Sequence, residues 1–188
     1  MNLIKLKYNL KSILYIFIVM TLKRYISFSK TSNCFLNTSY LCNFTNNNIN
    51  YNSSLQYYIK RKQEILDRSN YDLSDKILNT TCPDKLLSYS SYIDQNKKDN
   101  WNISLRYRIM VNANILKFNQ NNDIAKRLLD TNNDIILYEA DDKIWGVYNN
   151  EISDDIFIEN RSGRNLLGYS LMEVRDIFRT LNQSRLCE

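Results

Sequence analysis

The sequence predicts a single globular domain that is mostly helical and contains a few short strands. Its 188 residues are 44% hydrophobic, which is enough for one sizeable core. Apolar residues recur at helical spacing in several segments, most clearly from Trp101 to Phe118 and from Asn165 to Phe178. Between these two segments lies an apolar, β-prone stretch that starts at Ile135.

The first 31 residues are predicted to form an N-terminal extension. They contain an apolar run from Ile13 to Leu22, preceded by lysines, a pattern typical of a secretory signal or a short membrane anchor. The run is short for a bilayer span, and no small-residue cleavage motif follows it. A third interpretation is that translation starts at Met20 and that the upstream residues are dispensable. We therefore expect a cytoplasmic protein, with membrane tethering through this run as the alternative.

The domain itself is expected to occupy residues 32–182, and residues 183–188 are expected to form a tail. From Ser32 to Ser53, aromatic and β-branched residues alternate with asparagine runs. This composition predicts short strands and loops at the start of the domain.

The first helix is predicted to begin at Ser54, which is a good capping residue. Five residues then fall on one helical face: Leu55, Tyr58, Ile59, Lys62 and Leu66. Lys62 lies on or beside that buried face. It is either a substrate-binding cation or a lysine whose stem packs on the core while its head reaches water.

Further helices follow around Leu73 to Leu78, from Pro83 to Tyr92, and around Ile124 to Leu129. Pro83 is well placed in the first turn of the helix that it begins. The best-defined helix begins near Trp101, and its predicted stripe is Trp101, Leu105, Ile109, Asn112 and Leu116. Lys117 ends this helix, where the helix dipole alone would favour a lysine.

Two β-prone runs, Ile135 to Ala140 and Ile144 to Tyr148, flank Asp141 and Asp142. They predict a strand, a tight acidic turn and a second strand. Adjacent carboxylates at a turn are often only solvated, but Asp142 directly precedes an aromatic segment. Residues 149–162 resemble a long surface loop, which in a compact domain is commonly a lid or binding loop.

The segment Gly163 to Arg175, GRNLLGYSLMEVR, predicts a core helix with Asn165 as its capping residue. Gly168 in the first turn costs roughly 1 kcal/mol relative to alanine. Its presence indicates that a backbone or a ligand passes close by. With Arg164 beside the free N–H groups of the first turn, this helix end is a candidate phosphate site.

Composition excludes several classes of site. The net charge of +5 favours an anionic ligand but is too small for a nucleic-acid-coating protein. Because the chain has no histidine, acid–base chemistry must use Asp, Glu, Lys, Tyr or Cys, and no metal site is expected. The four cysteines, Cys34, Cys42, Cys82 and Cys187, include no CxxC pair, and free thiols are favoured over two disulfides.

These motifs together resemble a known family. The series comprises Lys62, Trp101 with Arg106 and Met110, Lys117-Phe118-x-Gln120-Asn121, Leu128-Leu129-x-Thr131, Asp142-x-Ile144-Trp145-Gly146 and Gly163-x-Asn165-Leu166-Leu167-Gly168-x-x-Leu171-Met172-x-Val174-Arg175. In order and spacing it is similar to the YbiA-like, or NADAR, family over nearly the whole chain beyond the N-terminal extension. The two C-terminal motifs are the most specific.

The resemblance implies a mostly helical α+β fold, a single domain and N-glycosidase activity without a cofactor. Members of the family hydrolyse the bond between a ribosyl C1 and an amine nitrogen. Relatives act on ribosylaminopyrimidine phosphates, which are reactive early intermediates of riboflavin biosynthesis, and others remove ADP-ribose from guanine in DNA. The expected partner is therefore a small ribosylamine phosphate or an ADP-ribose compound, with ADP-ribosylated DNA as an alternative.

Two departures from the family pattern bear on activity. Leu55 stands where the family has a glutamate thought to be essential, and Gln56 replaces a histidine. Tyr148 replaces the second glycine of a Trp-Gly-x-Gly motif. Loss of a general acid or base typically lowers the rate by about 10²–10⁴-fold. A catalytically silent module that binds ADP-ribose or a nucleotide is therefore the rival hypothesis.

Cleaving a C1–N bond builds positive charge on the ribose, which a carboxylate stabilises. Asp142 is the first candidate for this carboxylate, and Glu139 on the preceding strand is the second. The predicted substrate-binding residues are Lys62, Trp101, Arg106, Lys117, Trp145, Gly146, Arg164, Asn165, Gly168 and Arg175. Among these, lysines and arginines would hold phosphate or hydroxyls, and either tryptophan would stack on the base or simply pack in the core.

Overall fold

The structure is a computed structural model that describes residues 24–32, 34–93, 101–149 and 161–185. The helices in these ranges are α1 Ser54–Leu66, α2 Tyr71–Leu78, α3 Pro83–Tyr92, α4 Ile103–Asn119, α5 Asn122–Leu129 and α6 Leu166–Arg185. The strands are β1 Tyr25–Ser29, β2 Phe44–Asn46, β3 Ile49–Tyr51, β4 Ile135–Glu139, β5 Tyr148–Asn149 and β6 Arg161–Ser162. The predicted fold class, a mostly helical α+β domain with a few short strands, is confirmed.

The strands form three separate pairs in the described part of the chain. β1 pairs in parallel with β4, in a register that places Tyr25 opposite Ile135 and Ser29 opposite Glu139. β2 with β3 and β5 with β6 are short antiparallel pairs. Because β1 lies before residue 32, the folded domain includes residues that the sequence assigned to the N-terminal extension. At the other end α6 continues to Arg185, past the predicted domain end at residue 182.

Helix α1 is surrounded by the rest of the domain. Its predicted inner face is confirmed for Tyr58, Ile59, Lys62 and Leu66, which are buried, and for Leu55, which is half-buried. The capping residue is Ser53 rather than Ser54, because the Ser53 hydroxyl accepts a hydrogen bond from the Gln56 N–H. Ser54 is instead fully buried and donates to Asn114 on α4.

A buried polar chain joins the three central helices. The Ser54 hydroxyl donates to Asn114 Oδ1 at 3.2 Å, and Asn114 Nδ2 donates to Ser170 Oγ on α6 at 3.1 Å. The predicted stripe on α4 was partly wrong, since Asn112 is exposed and Trp101 precedes the helix. The buried face includes Asn114, which an apolar pattern cannot reveal because its burial depends on hydrogen bonds from two other helices.

The predicted second strand, Ile144 to Tyr148, is also wrong in its first half. Residues 143–145 form a turn, and regular pairing resumes only with the bridge at Val147 and with β5. The reason is local, since the Asp142 carboxylate accepts hydrogen bonds from the next backbone N–H groups and so favours a turn over an extended strand. The predicted strand from Ile135 is confirmed as β4.

Cys34, Cys42 and Cys82 are free thiols, as predicted, and Cys187 lies outside the described residues. Among the helices that the structure describes, none is both long enough and apolar enough to cross a bilayer. The apolar run from Ile13 to Leu22 and most of the predicted binding loop, residues 150–160, also lie outside the described ranges.

Candidate functional site

A cavity of about 280 Å³ opens between α1, α3, α4 and the turn that follows β4. Five of the predicted site residues line it: Lys62, Trp101, Arg106, Asp142 and Trp145. They come from three separate parts of the sequence, and the fold brings them to one place. Leu55, which the resemblance places at the position of a family glutamate, also lines the cavity.

One wall of the cavity is aromatic. The ring of Tyr58 meets Trp145 edge-on, with centroids 5.5 Å apart, and lies tilted against Trp101 at 5.6 Å. The Arg106 guanidinium lies 5.8 Å from the centre of the Trp145 ring, and its Nε donates to the Tyr58 hydroxyl at 3.3 Å. Flat apolar surfaces with one cation beside them suit a planar base attached to an anionic group.

Asp142 is held by the turn that it starts. Its Oδ1 atom accepts hydrogen bonds from the N–H groups of Ile144 at 2.8 Å and Trp145 at 2.9 Å. Within the part of the chain that the structure describes, no donor bonds its Oδ2 atom. The carboxylate is thus fixed in orientation and has one oxygen left to face a ligand.

Lys62 is nearly buried, with 8% of its surface exposed, and its ammonium donates to the carbonyl and hydroxyl oxygens of Ser90 on α3, both at 2.9 Å. Burial, with a smaller contribution from the nearby Arg106 charge, lowers the pKa of Lys62. An ammonium has three N–H donors, so one is left for a ligand after the two bonds to Ser90. Lys62 and Arg106 therefore place two cations at one cavity.

The predicted phosphate site at the start of α6 was wrong. The N–H groups of residues 164–167 are already bonded by the carbonyls of residues 143–146, at 3.0–3.1 Å. Asn165 does not cap its own helix either, because its side chain accepts from Tyr138 N–H and donates to the Ile136 carbonyl of β4. This helix end is therefore the packing interface between α6, β4 and the Asp142 turn.

Gly146 and Gly168, the two glycines of the motifs, lie at the same packing interface. A Cβ atom on Gly168 would lie 2.1 Å from the Ile136 carbonyl oxygen, and one on Gly146 would lie 2.9 Å from the Ala140 carbonyl oxygen. For Gly168 the sequence left open whether a backbone or a ligand passes close, and it is the backbone. Neither glycine lines the cavity.

Lys117 and Arg175 are structural cations away from the cavity. Lys117 is fully buried and donates to the carbonyls of Phe35 at 2.7 Å and Asn37 at 2.9 Å. Burial lowers its pKa to about 8. Arg175 is also buried, and its Nη1 donates to Thr131 Oγ1 and the Asp134 carbonyl, both at 2.8 Å. Neither cation lines the cavity, and their bonds join distant parts of the domain. A substrate-binding role for Lys117 or Arg175 stays a prediction.

Glu139 and Arg164 are exposed and lie outside the cavity lining. The lining also includes residues that the sequence did not single out as site residues, among them Tyr58, Ser90 and Tyr138. Tyr58 had a usable signal, since it lies four residues before Lys62 on the same helical face. Ser90 and Tyr138 had none, because their places depend on how α3 and β4 pack. Burial, and then the charge of Asp142, raise the pKa of the Tyr138 hydroxyl.

This helical α+β domain has known counterparts. The NADAR domain model matches residues 16–179, and the chain therefore belongs to the NADAR domain family, as its motifs indicated. Its sequence is similar to an N-glycosidase of Acanthamoeba polyphaga mimivirus, with 41% identity over 73 residues. That match covers 38% of this chain and 43% of the viral protein, so the chain spans less than half of that relative.

The structure is similar to the NMR structure of the E. coli protein YbiA, with a TM-score of 0.61. The superposition covers 87% of this chain and 92% of YbiA, at 18% sequence identity. At this identity the likeness establishes a shared fold.

Proposed function

We propose that the protein is an N-glycosidase that hydrolyses the ribosyl C1–N bond of ribosylaminopyrimidine phosphates. The observation that carries this proposal is the meeting of an oriented carboxylate, Asp142, with two tryptophans and two cations in one cavity. Family membership and the similarity to a viral N-glycosidase support the reaction class.

Each part of the cavity has a role in this reaction. As the C1–N bond breaks, the ribose gains oxocarbenium character, and the open oxygen of Asp142 stabilises that charge and directs a water molecule to C1. Trp145 or Trp101 stacks on the pyrimidine, which is worth about 1–3 kcal/mol. Lys62 and Arg106 bind the phosphate, Lys62 as a point charge and Arg106 through paired N–H donors.

The size of the cavity favours a small substrate. Its volume of about 280 Å³ is near the lower limit of roughly 300–1,000 Å³ for ligand pockets. One base, one ribose and one phosphate match this space better than ADP-ribose, which carries a second nucleoside. Ribosylaminopyrimidine phosphates are therefore preferred over ADP-ribosylated guanine in DNA.

Leu55 favours a second candidate function, a binding module that does not turn its ligand over. It lines the cavity at the position where the family has its glutamate, and an aliphatic side chain cannot transfer a proton. A nucleotide or ADP-ribose would then bind between the aromatic wall and the cations and remain intact.

The test is an assay of the purified protein and a Leu55→Glu variant on a ribosylaminopyrimidine phosphate, following ribose 5-phosphate release by mass spectrometry. ADP-ribosylated guanine DNA is assayed in parallel. Release by the wild-type protein is the expected result. No release together with micromolar binding of an intact ligand in calorimetry, and activity gained by Leu55→Glu, would support the binding module instead. If the protein shows no release and no binding, both candidate functions are contradicted.

A further inference from the structure

Tyr58 contacts three of the predicted site residues in the cavity lining. Its ring contacts both Trp101 and Trp145, and its hydroxyl accepts the Arg106 Nε–H bond at 3.3 Å. The residue is 9% exposed and lines the cavity. The hydroxyl proton itself is committed to no acceptor among the residues that the structure describes.

Tyr58 also follows Leu55 by one helical turn. Residues three apart share a helix face, and both side chains line the cavity. Leu55 has no proton to give, and the Lys62 ammonium on the same face uses two of its three N–H donors on Ser90 and has its third assigned to the phosphate. The α1 wall therefore offers a phenol close to where the family has its glutamate.

Tyr138 is the other tyrosine in the cavity lining, and it lacks one feature of Tyr58. Among the described residues, no cation donates a hydrogen bond to the Tyr138 hydroxyl. A phenol that releases its proton becomes negative, and a guanidinium bonded to its oxygen stabilises that charge. Arg106 provides this stabilisation to Tyr58 and not to Tyr138.

We propose that Tyr58 is the proton donor to the departing amine, in place of the missing family glutamate, an inference that rests on the function proposed above. The C1–N electron pair moves to nitrogen as the bond breaks, and the Tyr58 hydroxyl proton is transferred to that nitrogen. A water oxygen then bonds to C1, and one water proton returns to the Tyr58 oxygen. The net reaction adds water across the C1–N bond and restores the tyrosine.

The surroundings of the hydroxyl suit this cycle. Burial raises the pKa of Tyr58, while the hydrogen bond and charge of Arg106 lower it and the charge of Asp142 raises it. The phenol therefore keeps its proton in the resting state. When the proton leaves, the Arg106 bond joins two opposite charges and strengthens.

The test compares Tyr58→Phe with a matched control, Tyr57→Phe. Tyr57 lies on the same helix and its hydroxyl accepts from Asn112 Nδ2, but it is absent from the cavity lining. Two probes are used: a ribosylaminopyrimidine phosphate, whose amine must gain a proton to leave, and nicotinamide mononucleotide, whose pyridinium leaves as neutral nicotinamide without one. Single-turnover kinetics gives the rate of the chemical step and the substrate Kd separately.

The expected result is that Tyr58→Phe slows the chemical step on the aminopyrimidine by about 10²–10⁴-fold with little change in Kd, and slows nicotinamide release far less. Tyr57→Phe should behave as wild type on both probes. Equal slowing on both probes, or weaker binding with an unchanged chemical step, would overturn the proton transfer and make Tyr58 a positioning residue. An unchanged Tyr58→Phe would also overturn it.

Failure of the underlying function has a different signature. If the wild-type protein cleaves neither probe, the N-glycosidase assignment is wrong and the role of Tyr58 falls with it. If it cleaves only the aminopyrimidine, the rate and affinity of Tyr58→Phe on that probe decide the question. Melting curves by circular dichroism check that both phenylalanine variants are folded.

Discussion

The Asp142 carboxylate accepts a hydrogen bond from the backbone N–H of Trp145 at 2.9 Å, and both side chains line the same cavity. One short turn therefore sets the position of the only carboxylate and of one of the two indoles in the lining described by the structure. The carbonyls of the same turn bond the first N–H groups of α6. The site is thus rigidly connected to the core through its backbone.

Two substitutions of Asp142 should distinguish the effect of its charge from the effect of its hydrogen bonds. Asp142→Asn keeps an oxygen that can accept from Ile144 and Trp145, so we expect normal stability but glycosidase activity reduced by at least about 10²-fold. Asp142→Ala loses both bonds, and its free energy of unfolding should also fall by about 1–2 kcal/mol. Turnover assays and urea unfolding measure the two effects. Full activity in Asp142→Asn would remove this residue from the mechanism.

Gly168→Ala should destabilise the protein, although alanine normally favours a helix by about 1 kcal/mol over glycine. The added Cβ would lie 2.1 Å from the Ile136 carbonyl oxygen, so β4 and α6 would have to separate. We expect a loss of about 1–3 kcal/mol in unfolding free energy. Tyr169→Ala, at a neighbouring exposed position of the same helix, is the control and should change stability little. A stabilised Gly168→Ala would contradict the close packing.

The sequence predicted the fold well because most of its elements carry local signals. Apolar spacing and Pro83 located helices that the structure confirms, and the motif around Asp142 led to the cavity. One error has a local physical cause. Residues 143–145 have the composition of a strand, but the hydrogen bonds to the Asp142 carboxylate fold them into a turn. The apolar composition of this segment does not reveal those bonds.

The roles of the cations could not be predicted from the sequence. Lys62 and Lys117 both follow helical apolar stripes, yet one lines the cavity and the other is fully buried. Lys117 donates to the carbonyls of Phe35 and Asn37, whereas Lys62 donates to Ser90 on α3, and all three partners lie far away in the chain. Spacing within one helix contains no information about such long-range partners. The same holds for Arg175, whose partners are on the loop before β4.

Arg175→Met should lower stability without changing the catalytic rate of the folded protein. The variant loses the bonds from Nη1 to Thr131 Oγ1 and to the Asp134 carbonyl, and hydrogen bonds from a charged group are worth about 1.5–3 kcal/mol. Urea unfolding should show a loss of that order. Arg108→Met, at an exposed position of α4, serves as the control. A raised KM for a phosphorylated substrate with unchanged stability would restore Arg175 to a substrate-binding role.

Because of Lys117, the free energy of unfolding should increase with pH in the alkaline range. Its folded pKa is depressed to about 8 from the ordinary value of 10.5, so between these values the unfolded chain binds more protons than the folded one. Stability from this group is therefore fully present above 10.5 and is lost as pH falls through about 8. The neutral amine still has two N–H donors for the Phe35 and Asn37 carbonyls, so deprotonation keeps both bonds.

Lys117→Met tests this directly, because it removes the titrating group and leaves two buried carbonyls without their donor. We expect the variant to be less stable than wild type, and the difference in unfolding free energy to grow as pH rises from neutral to about 10. The difference between the two proteins cancels the titration of shared groups that Lys117 does not influence. The Cys42 thiol is not one of these, because the charge of Lys117 lowers its pKa. Lys126→Met, at an exposed position of α5, should show no such growth. A difference between wild type and Lys117→Met that stays constant with pH would mean that Lys117 keeps its proton when buried.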